Sequence, residues 1–141
     1  MKTFLLCLAC LVSLAAAQIA QSCSDHPDNK ITVDPSSVKI GGCTAPPCKF
    51  YKGKNGTVSF NFKANADIAT MNVALYGKIA GIWVELPGGL PDPNICNNKN
   101  VTCPMKSGTE YSPVINVFVN PKYPSVSKTR IIAKMWLYIY M

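Results

Sequence analysis

Two pairs of closely spaced cysteines are the residues of this chain best suited to chemistry. Cys43 and Cys48 flank a Pro-Pro pair in GGCTAPPCKFYKG, and Cys96 and Cys103 bound the stretch CNNKNVTC. Zinc needs a full set of cysteine or histidine ligands, and the chain has a single histidine, His26. A redox pair normally has the form C-x-x-C, which Cys43 and Cys48 do not have. We therefore predict two structural disulfides, Cys43–Cys48 and Cys96–Cys103.

The N-terminus has the layout of a secretory signal peptide. A basic start at Lys2 precedes an apolar run over residues 4–14 and three alanines at 15–17. An apolar run of about a dozen residues is too short for a membrane anchor, which needs ~20. We predict cleavage before Gln18, secretion, and one mature domain at residues 18–141. Secretion also favours disulfides over free thiols.

The sequence offers few groups for catalysis. His26 lies in the polar run SDHPDNK, which is typical of a solvated loop, and the carboxylates are scattered along the chain. No pair of carboxylates occupies adjacent strand positions, and there is no phosphate-binding glycine loop and no G-x-S-x-G motif. We predict that the protein is not an enzyme and uses no metal or cofactor.

The charge of the chain is mildly positive. It carries 14 Lys and Arg against 7 Asp and Glu, a net charge of +7, and charged residues make up 15% of it, compared with about 25% in typical proteins. Such an excess suits an anionic surface or a ligand headgroup. It is too diffuse to indicate nucleic acid as a partner.

Short runs of alternating apolar and polar residues predict β-strands. Four stretches show the pattern: TVSFNFKA, MNVALYGKIAGIWVEL with a break near Gly81, YSPVINVFV and TRIIAKMWLYIY. β-Branched and aromatic residues, which suit pleated and half-buried strands, dominate these runs. Several strands separated by turn signals predict a sandwich or a barrel.

Two N-glycosylation sequons are present. They are Asn55-Gly56-Thr57 and Asn100-Val101-Thr102, and each is predicted to lie in a turn. A sequon in an exposed turn of a secreted protein is a candidate for glycosylation, and an unused match is the alternative. We predict that Asn55 and Asn100 are glycosylated.

An ordered set of motifs resembles the MD-related lipid-recognition (ML) domain family. The motifs lie between residues 23 and 126, in GGCTAPPCKFYKGKNGTVSFNF, GKIAGIWVELPGG, PDPNIC, CPMKSGTEY and VNPKYPSV. The resemblance extends to the branch of small soluble Niemann–Pick type C cholesterol transporters and their arthropod relatives. Group-two mite allergens belong to the same family.

The resemblance implies an all-β fold, an immunoglobulin-like β-sandwich of two antiparallel sheets with an apolar cavity between them. The expected ligand is a sterol, a fatty acid or another apolar lipid. Family positions at the pocket mouth correspond to Leu86, where an aromatic residue is expected, and to Val119, Tyr123 and Pro124. We expect the cavity wall to include Phe60, Phe62, Val73, Leu75, Ile82, Val84, Val117 and Met135. Ordinary core packing is the alternative for each of these wall residues.

The C-terminal part of the sequence departs from the family pattern. A Trp-bearing strand, a turn and a last strand with a cysteine are expected after Tyr123-Pro124, but Trp136 comes late in the chain. The sequence therefore predicts that the C-terminal strand is missing. Cys23, whose partner that strand would supply, is then expected to be unpaired.

Three functions are compatible with these observations. The first is a secreted or endolysosomal lipid carrier that delivers its ligand to a membrane surface or a membrane-bound lipid acceptor. The second is recognition of microbial lipids in innate immunity, in which Lys49, Lys52, Lys54 and Lys122 meet anionic headgroups. The third is a protein-interaction module without a ligand cavity. Lipid that copurifies with the protein would separate the third from the other two.

Overall fold

The computed structural model describes residues 20–22, 30–124, 129–132 and 136–139, and every strand in this part of the chain pairs antiparallel. Within these residues lie nine strands and one 3-10 turn at Ile95–Asn97. The strands are β1 (Ala20–Ser22), β2 (Ile31–Ile40), β3 (Asn55–Ala64), β4 (Ala74–Ile79), β5 (Ile82–Glu85), β6 (Glu110–Tyr111), β7 (Val114–Phe118), β8 (Thr129–Ile132) and β9 (Trp136–Ile139).

Two antiparallel sheets make up the fold. The first has the strand order β1-β9-β8-β4-β5. The second has the order β2-β3-β6, and β7 pairs with β3 on the same side as β6. Buried apolar residues from both sheets form a single cluster between them. This is the immunoglobulin-like β-sandwich that the sequence resemblance implies.

The strand β3 shows why the sequence folds in this way. Its alternate residues Val58, Phe60, Phe62 and Ala64 are buried, while the residues between them are mostly exposed. Because successive side chains of a strand point to opposite faces, this alternation places one whole face of β3 in the core. Phe62 also stacks on Tyr111 of β6, with ring centroids 5.5 Å apart.

A tight hairpin joins β4 to β5 at the break that the sequence predicts. Ala80 and Gly81 form the turn, with φ angles of 47° and 84°. Positive φ at both central residues is typical of the two-residue hairpin turn whose twist matches that of the strands. The register follows from it, with Ile79 opposite Ile82 and Gly77 opposite Val84.

Both predicted disulfides are present in the structure. Cys43 is bonded to Cys48 and Cys96 to Cys103, each with a Cα–Cα distance of 5.6 Å. Cys48 is fully buried against the core, so the first bridge attaches the loop after β2 to the sandwich. Cys23 lies outside the described residues, and its predicted unpaired state stays a prediction.

The C-terminal segment differs from the sequence prediction. The run TRIIAKMWLYIY, predicted as one strand, forms two antiparallel strands, β8 and β9, with Ile131 opposite Leu137. If the last strand were missing, β8 would have an open edge. In the structure, β9 pairs with β8 along that edge. The second strand begins at Trp136 and also pairs with β1, so the sheet continues where the sequence predicted it to end.

We predict that Phe62→Ala destabilises the fold strongly. Phe62 is 1% exposed, and truncation of a buried phenylalanine typically costs about 3–5 kcal/mol. Chemical denaturation measures the loss. The matched control is Lys63→Ala, the next residue on the exposed face, which is expected to change the free energy of unfolding by no more than about 0.5 kcal/mol. Equal effects of the two changes would contradict the assigned faces of β3.

Candidate ligand-binding site

Among the side chains that the structure describes, a cluster of buried apolar residues lies between the two sheets. Of the residues predicted to line a cavity, Phe60 and Phe62 lie on β3, Leu75 on β4 and Val117 on β7, while Val73 precedes β4. All five are less than 5% exposed and belong to the same buried cluster. The structure therefore brings these predicted wall residues together, from both sheets.

Two predicted wall residues, Ile82 and Val84, are not in this interior. Their pairing with Ile79 and Gly77 places them on the same face as the buried Leu75, but their side chains are 68% and 42% exposed. The physical reason is that β5 is the edge strand of its sheet, so its side chains lie at the margin of the sandwich. They form an open apolar margin of the sandwich rather than part of its wall.

The residues predicted at the pocket mouth gather where the chain crosses from one sheet to the other. Leu86 is 7% exposed, and its N–H donates to the Leu75 carbonyl oxygen at 2.8 Å. Three residues on, the Gly89 carbonyl oxygen accepts from the Phe118 N–H of β7, also at 2.8 Å. The loop after β5 thus bridges β4 of the first sheet and β7 of the second.

Tyr123, from the segment after β7, contacts the same crossing loop. Its hydroxyl donates to the Pro87 carbonyl oxygen, and its ring packs against the core. Val119 is half-buried beside it, and Pro124 is exposed. Three of the four predicted mouth residues, Leu86, Val119 and Tyr123, therefore lie at the border between the core and solvent.

Burial raises the pKa of the Tyr123 hydroxyl above its ordinary value of 10.0. The cause is the loss of solvation of the charged phenolate form. The hydroxyl therefore stays protonated at neutral pH, as a donor to the Pro87 carbonyl oxygen must.

Gly89 is a closely packed position of the crossing loop that the sequence pattern does not indicate. A Cβ at this residue would meet Cδ2 of Leu75 at 2.6 Å and the Tyr123 hydroxyl at 3.3 Å. Only glycine lets the crossing loop approach the interior so closely. The Pro-Gly-Gly run at 87–89 signals a turn in the sequence, but it does not show which glycine is packed and which is exposed.

The two carboxylates with lowered pKa values, Asp34 in β2 and Asp67, lie on the exposed surface and not in the interior. A hydrogen bond from the Ser36 hydroxyl lowers the pKa of Asp34. The Ser107 N–H and the Lys106 ammonium, 3.5 Å away, lower the pKa of Asp67. Within the described part of the chain, no three His, Cys, Asp or Glu side chains come together as a metal site.

Several sequence predictions fall on residues that the structure does not describe. They are the signal peptide, His26, Cys23 and the predicted wall residue Met135. Both sequon asparagines, in contrast, are described and exposed, and Asn100 lies in the loop that the Cys96–Cys103 disulfide closes. The turn predicted for the first sequon is wrong, because Asn55 begins β3 and residues 55–57 pair with β7. Among the described residues, no helix has the length and apolarity that a membrane crossing requires.

Fold and site together define an antiparallel β-sandwich with an apolar interior that meets solvent at a loop crossing between the sheets. The chain belongs to the ML-domain family, whose family model matches residues 18–136. The resemblance that the sequence motifs indicated is thereby confirmed.

Similar proteins include cholesterol transporters and mite allergens. NPC intracellular cholesterol transporter 2 of Canis lupus familiaris is 27% identical over 89 residues, which cover 63% of this chain and 58% of the transporter. The match thus spans less than two thirds of that relative. Mite group 2 allergen Der p 2 of Dermatophagoides pteronyssinus is 30% identical over 110 residues, which cover 76% of this chain and 68% of the allergen.

A solved structure shows the same fold. The crystal structure of a Niemann-Pick type C2 protein from Japanese carpenter ant superposes with a TM-score of 0.65 and 18% sequence identity. The superposition covers 85% of this chain and 94% of the ant protein. At this identity the likeness supports the fold alone.

We predict that Tyr123→Phe weakens the fold at neutral pH and less so at high pH. The change removes the hydrogen bond to Pro87, worth about 0.5–1.5 kcal/mol. Because the folded-state pKa of Tyr123 is raised, its stabilisation is present below the unfolded-state pKa and is lost as pH rises through the folded-state pKa. The difference in unfolding free energy between wild type and variant should therefore shrink above pH 10.0.

Urea denaturation at neutral pH and at the higher pH measures this difference. The control is Tyr51→Phe at an exposed position, which should leave the unfolding free energy unchanged at neutral pH. If the difference in unfolding free energy between wild type and Tyr123→Phe stays constant with pH, burial does not raise the pKa of this hydroxyl as described.

Proposed function

We propose that the protein is a secreted carrier that holds one sterol or fatty-acid-like lipid non-covalently between its two sheets. The observation that carries the proposal is the composition of the inner faces, which are apolar on both β3 and β4 and have no titratable group beyond tyrosine in the buried cluster. Such a surface binds the apolar part of a lipid without hydrogen-bonding partners, because the hydrophobic effect is non-directional. It contributes about 25 cal/mol for each Å² of apolar surface buried.

The similarity to proteins named as cholesterol transporters supports this ligand class. Binding requires the sheets to separate around the ligand, with Phe60, Leu75 and Val117 as wall and the crossing loop as mouth. No covalent chemistry is part of the function, and we propose that the protein is not an enzyme. Secretion follows from the predicted signal peptide at residues 1–17, with the extracellular space or an endolysosome as destination.

Occupancy by lipid is tested by native mass spectrometry of the protein secreted from insect cells. We expect an adduct of lipid mass that disappears on denaturation. A monodisperse protein with no adduct, which also fails to take up added cholesterol or oleic acid, would instead favour a protein-interaction module.

We predict that Val117→Trp abolishes lipid uptake. Val117 is 4% exposed on the inner face of β7, so a larger side chain fills the space that the lipid would occupy and costs about 1–3 kcal/mol of stability through overpacking. Uptake of cholesterol or oleic acid should fall more than about tenfold, a difference of 1.4 kcal/mol or more. Lys63→Trp adds the same ring to the exposed face of β3 and should bind as wild type does. Unchanged uptake by Val117→Trp would place the ligand elsewhere.

A basic face lies next to the proposed mouth. It consists of Lys49, Tyr51, Lys52, Lys54 and Lys122, all exposed. The Gly53 N–H donates to the Val119 carbonyl oxygen at 2.7 Å, and the Val119 N–H donates to the Lys54 carbonyl oxygen at 3.1 Å. These two bonds attach the turn that carries the lysines to a predicted mouth residue.

We propose an anionic membrane surface as the partner of this basic face. The sequence has no Asp or Glu between residues 35 and 66 or after residue 110, so no acidic side chain of these segments neutralises the lysines. The side chain of Tyr51, 68% exposed, suits the interface between headgroups and water. Docking by this face would turn the mouth towards the membrane that donates or accepts the lipid.

We predict that the double change Lys52→Gln and Lys54→Gln weakens binding to phosphatidylserine vesicles. Each lysine near an anionic surface contributes about 1 kcal/mol, so the loss is about 30-fold. Cosedimentation measures it, at low salt because screening weakens the attraction. The matched control, Lys39→Gln with Lys63→Gln, removes the same charge away from the mouth. An equal loss in both variants would show that only net charge matters.

A further inference from the structure

A small polar cleft opens to solvent at the margin of the buried apolar cluster, which supplies part of its lining. It has a volume of about 150 Å³, and its lining includes Val73, Asp92, Ile95, Asn97, Val114 and Asn116. At roughly 30 Å³ for each water in the liquid, this is the space of about five waters. That is room for one sugar ring, whereas sites for larger ligands begin at about 300 Å³.

The chemistry of the cleft suits a sugar. Its floor includes the buried side chains of Val73 and Ile95, against which the apolar face of a ring can pack. Nδ2 of Asn97 donates to Oδ2 of Asp92 at 3.0 Å, which leaves the amide oxygen of Asn97 free to accept. Among the described residues, the side-chain amide of Asn116 takes part in no hydrogen bond. Amides and a carboxylate together can both donate to and accept from sugar hydroxyls.

The sequon asparagine Asn100 lies at the start of a path to this cleft. Its Nδ2 donates to the Ser112 carbonyl oxygen at 3.1 Å, and Nδ2 of Asn98 donates to the Val114 carbonyl oxygen at 2.6 Å. Residues 98–100 therefore follow the edge of residues 112–114. Four residues of extended chain, the separation of Ser112 and Asn116, rise by at most about 13 Å, a span that a short oligosaccharide can cover.

An exposed apolar side chain lies along this path. Val114 and Asn116 are alternate residues of β7 and share its outer face. Ser112, two residues before the start of β7, is exposed as they are. Val114 is 42% exposed between the two polar residues. A sugar chain that runs from Asn100 to the cleft would pass over Val114 and remove it from water.

We propose that the oligosaccharide attached to Asn100 lies along this outer face and seats one sugar ring in the cleft. The inference rests on the secretory route of the proposed function. In the attachment, Nδ2 of Asn100 bonds to the anomeric carbon of the sugar, the bond from that carbon to a lipid-linked pyrophosphate donor breaks, and one amide proton leaves. The remaining amide hydrogen still donates to Ser112.

The first test removes the sugar without touching Asn100. Thr102→Ala destroys the sequon at an exposed side chain and keeps the bond from Asn100 to Ser112. In protein secreted from insect cells, amide hydrogen exchange in residues 92–98 and 112–116 should become about tenfold faster, as loss of about 1.4 kcal/mol of local protection predicts. Asn55→Gln, which removes the other sequon, should leave exchange in these segments unchanged.

A second variant tests the seat itself. Asn116→Ala keeps the sugar attached, as intact mass will show, but removes the amide at the end of the path. Exchange in residues 112–116 should rise to the level of Thr102→Ala, and the double variant should show no further rise, because both changes remove the same interaction. The unglycosylated protein from a bacterial host should show no difference between wild type and Thr102→Ala.

Three results would overturn the proposal. The first is a secreted, glycosylated protein whose mass map shows Asn100 unmodified. The second is a sugar on Asn100 whose loss leaves exchange unchanged. The third is protection of the cleft in the Thr102→Ala protein on addition of free N-acetylglucosamine, with none from the attached sugar, which would identify a site for an external saccharide. Lipid uptake is measured separately on the same proteins, so failure of the carrier function would be distinguished from failure of the sugar seat.

Discussion

The burial of one face of β3 is the constraint on which the rest of the structure depends. This strand pairs with β2 along one edge and with both β6 and β7 along the other, so it sets the register of its whole sheet. A shift of one residue would turn Val58, Phe60 and Phe62 to solvent and Lys63 into the core, at a cost of several kcal/mol. The register of β3 and β7 also sets the position of the mouth, because Val119 and Tyr123 lie in the segment that follows β7.

The sequence predicted the strands whose alternation is unbroken. β3, β4, β5 and β7 were predicted from period two, and the turn between β4 and β5 from Gly81. β2 was not, because its register shifts between Asp34 and Lys39, where Asp34 accepts hydrogen bonds from Ser36 and the alternation is lost. The β8–β9 hairpin was predicted as one strand because the apolar residues keep the same parity through the reversal.

The candidate site was predicted only in part, for a related reason. Periodicity indicates which face of a strand a side chain occupies, but coverage of that face depends on the opposite sheet. Ile82 and Val84 are on the correct face and yet exposed, since β5 is an edge strand. The close packing of Gly89 could not be predicted from the sequence, because the side chains that it contacts belong to Leu75 and Tyr123, which are distant from it in sequence. Only the motif resemblance indicated where the mouth residues would meet.

An apolar interior of this kind limits how the proposed carrier can select its lipid. Hydrophobic attraction is non-directional, so Phe60, Leu75 and Val117 would distinguish ligands by volume and shape rather than by polar groups. Polar selection then falls to the few hydrogen-bonding groups at the crossing loop. There the Pro87 carbonyl oxygen is already engaged by the Tyr123 hydroxyl. A lipid headgroup that binds the Tyr123 hydroxyl would have to break its existing hydrogen bond to Pro87. A lipid whose end at the mouth is purely apolar would leave that bond intact. Within the proposed function, the bond between Tyr123 and Pro87 is therefore the point at which the polarity of a ligand affects binding.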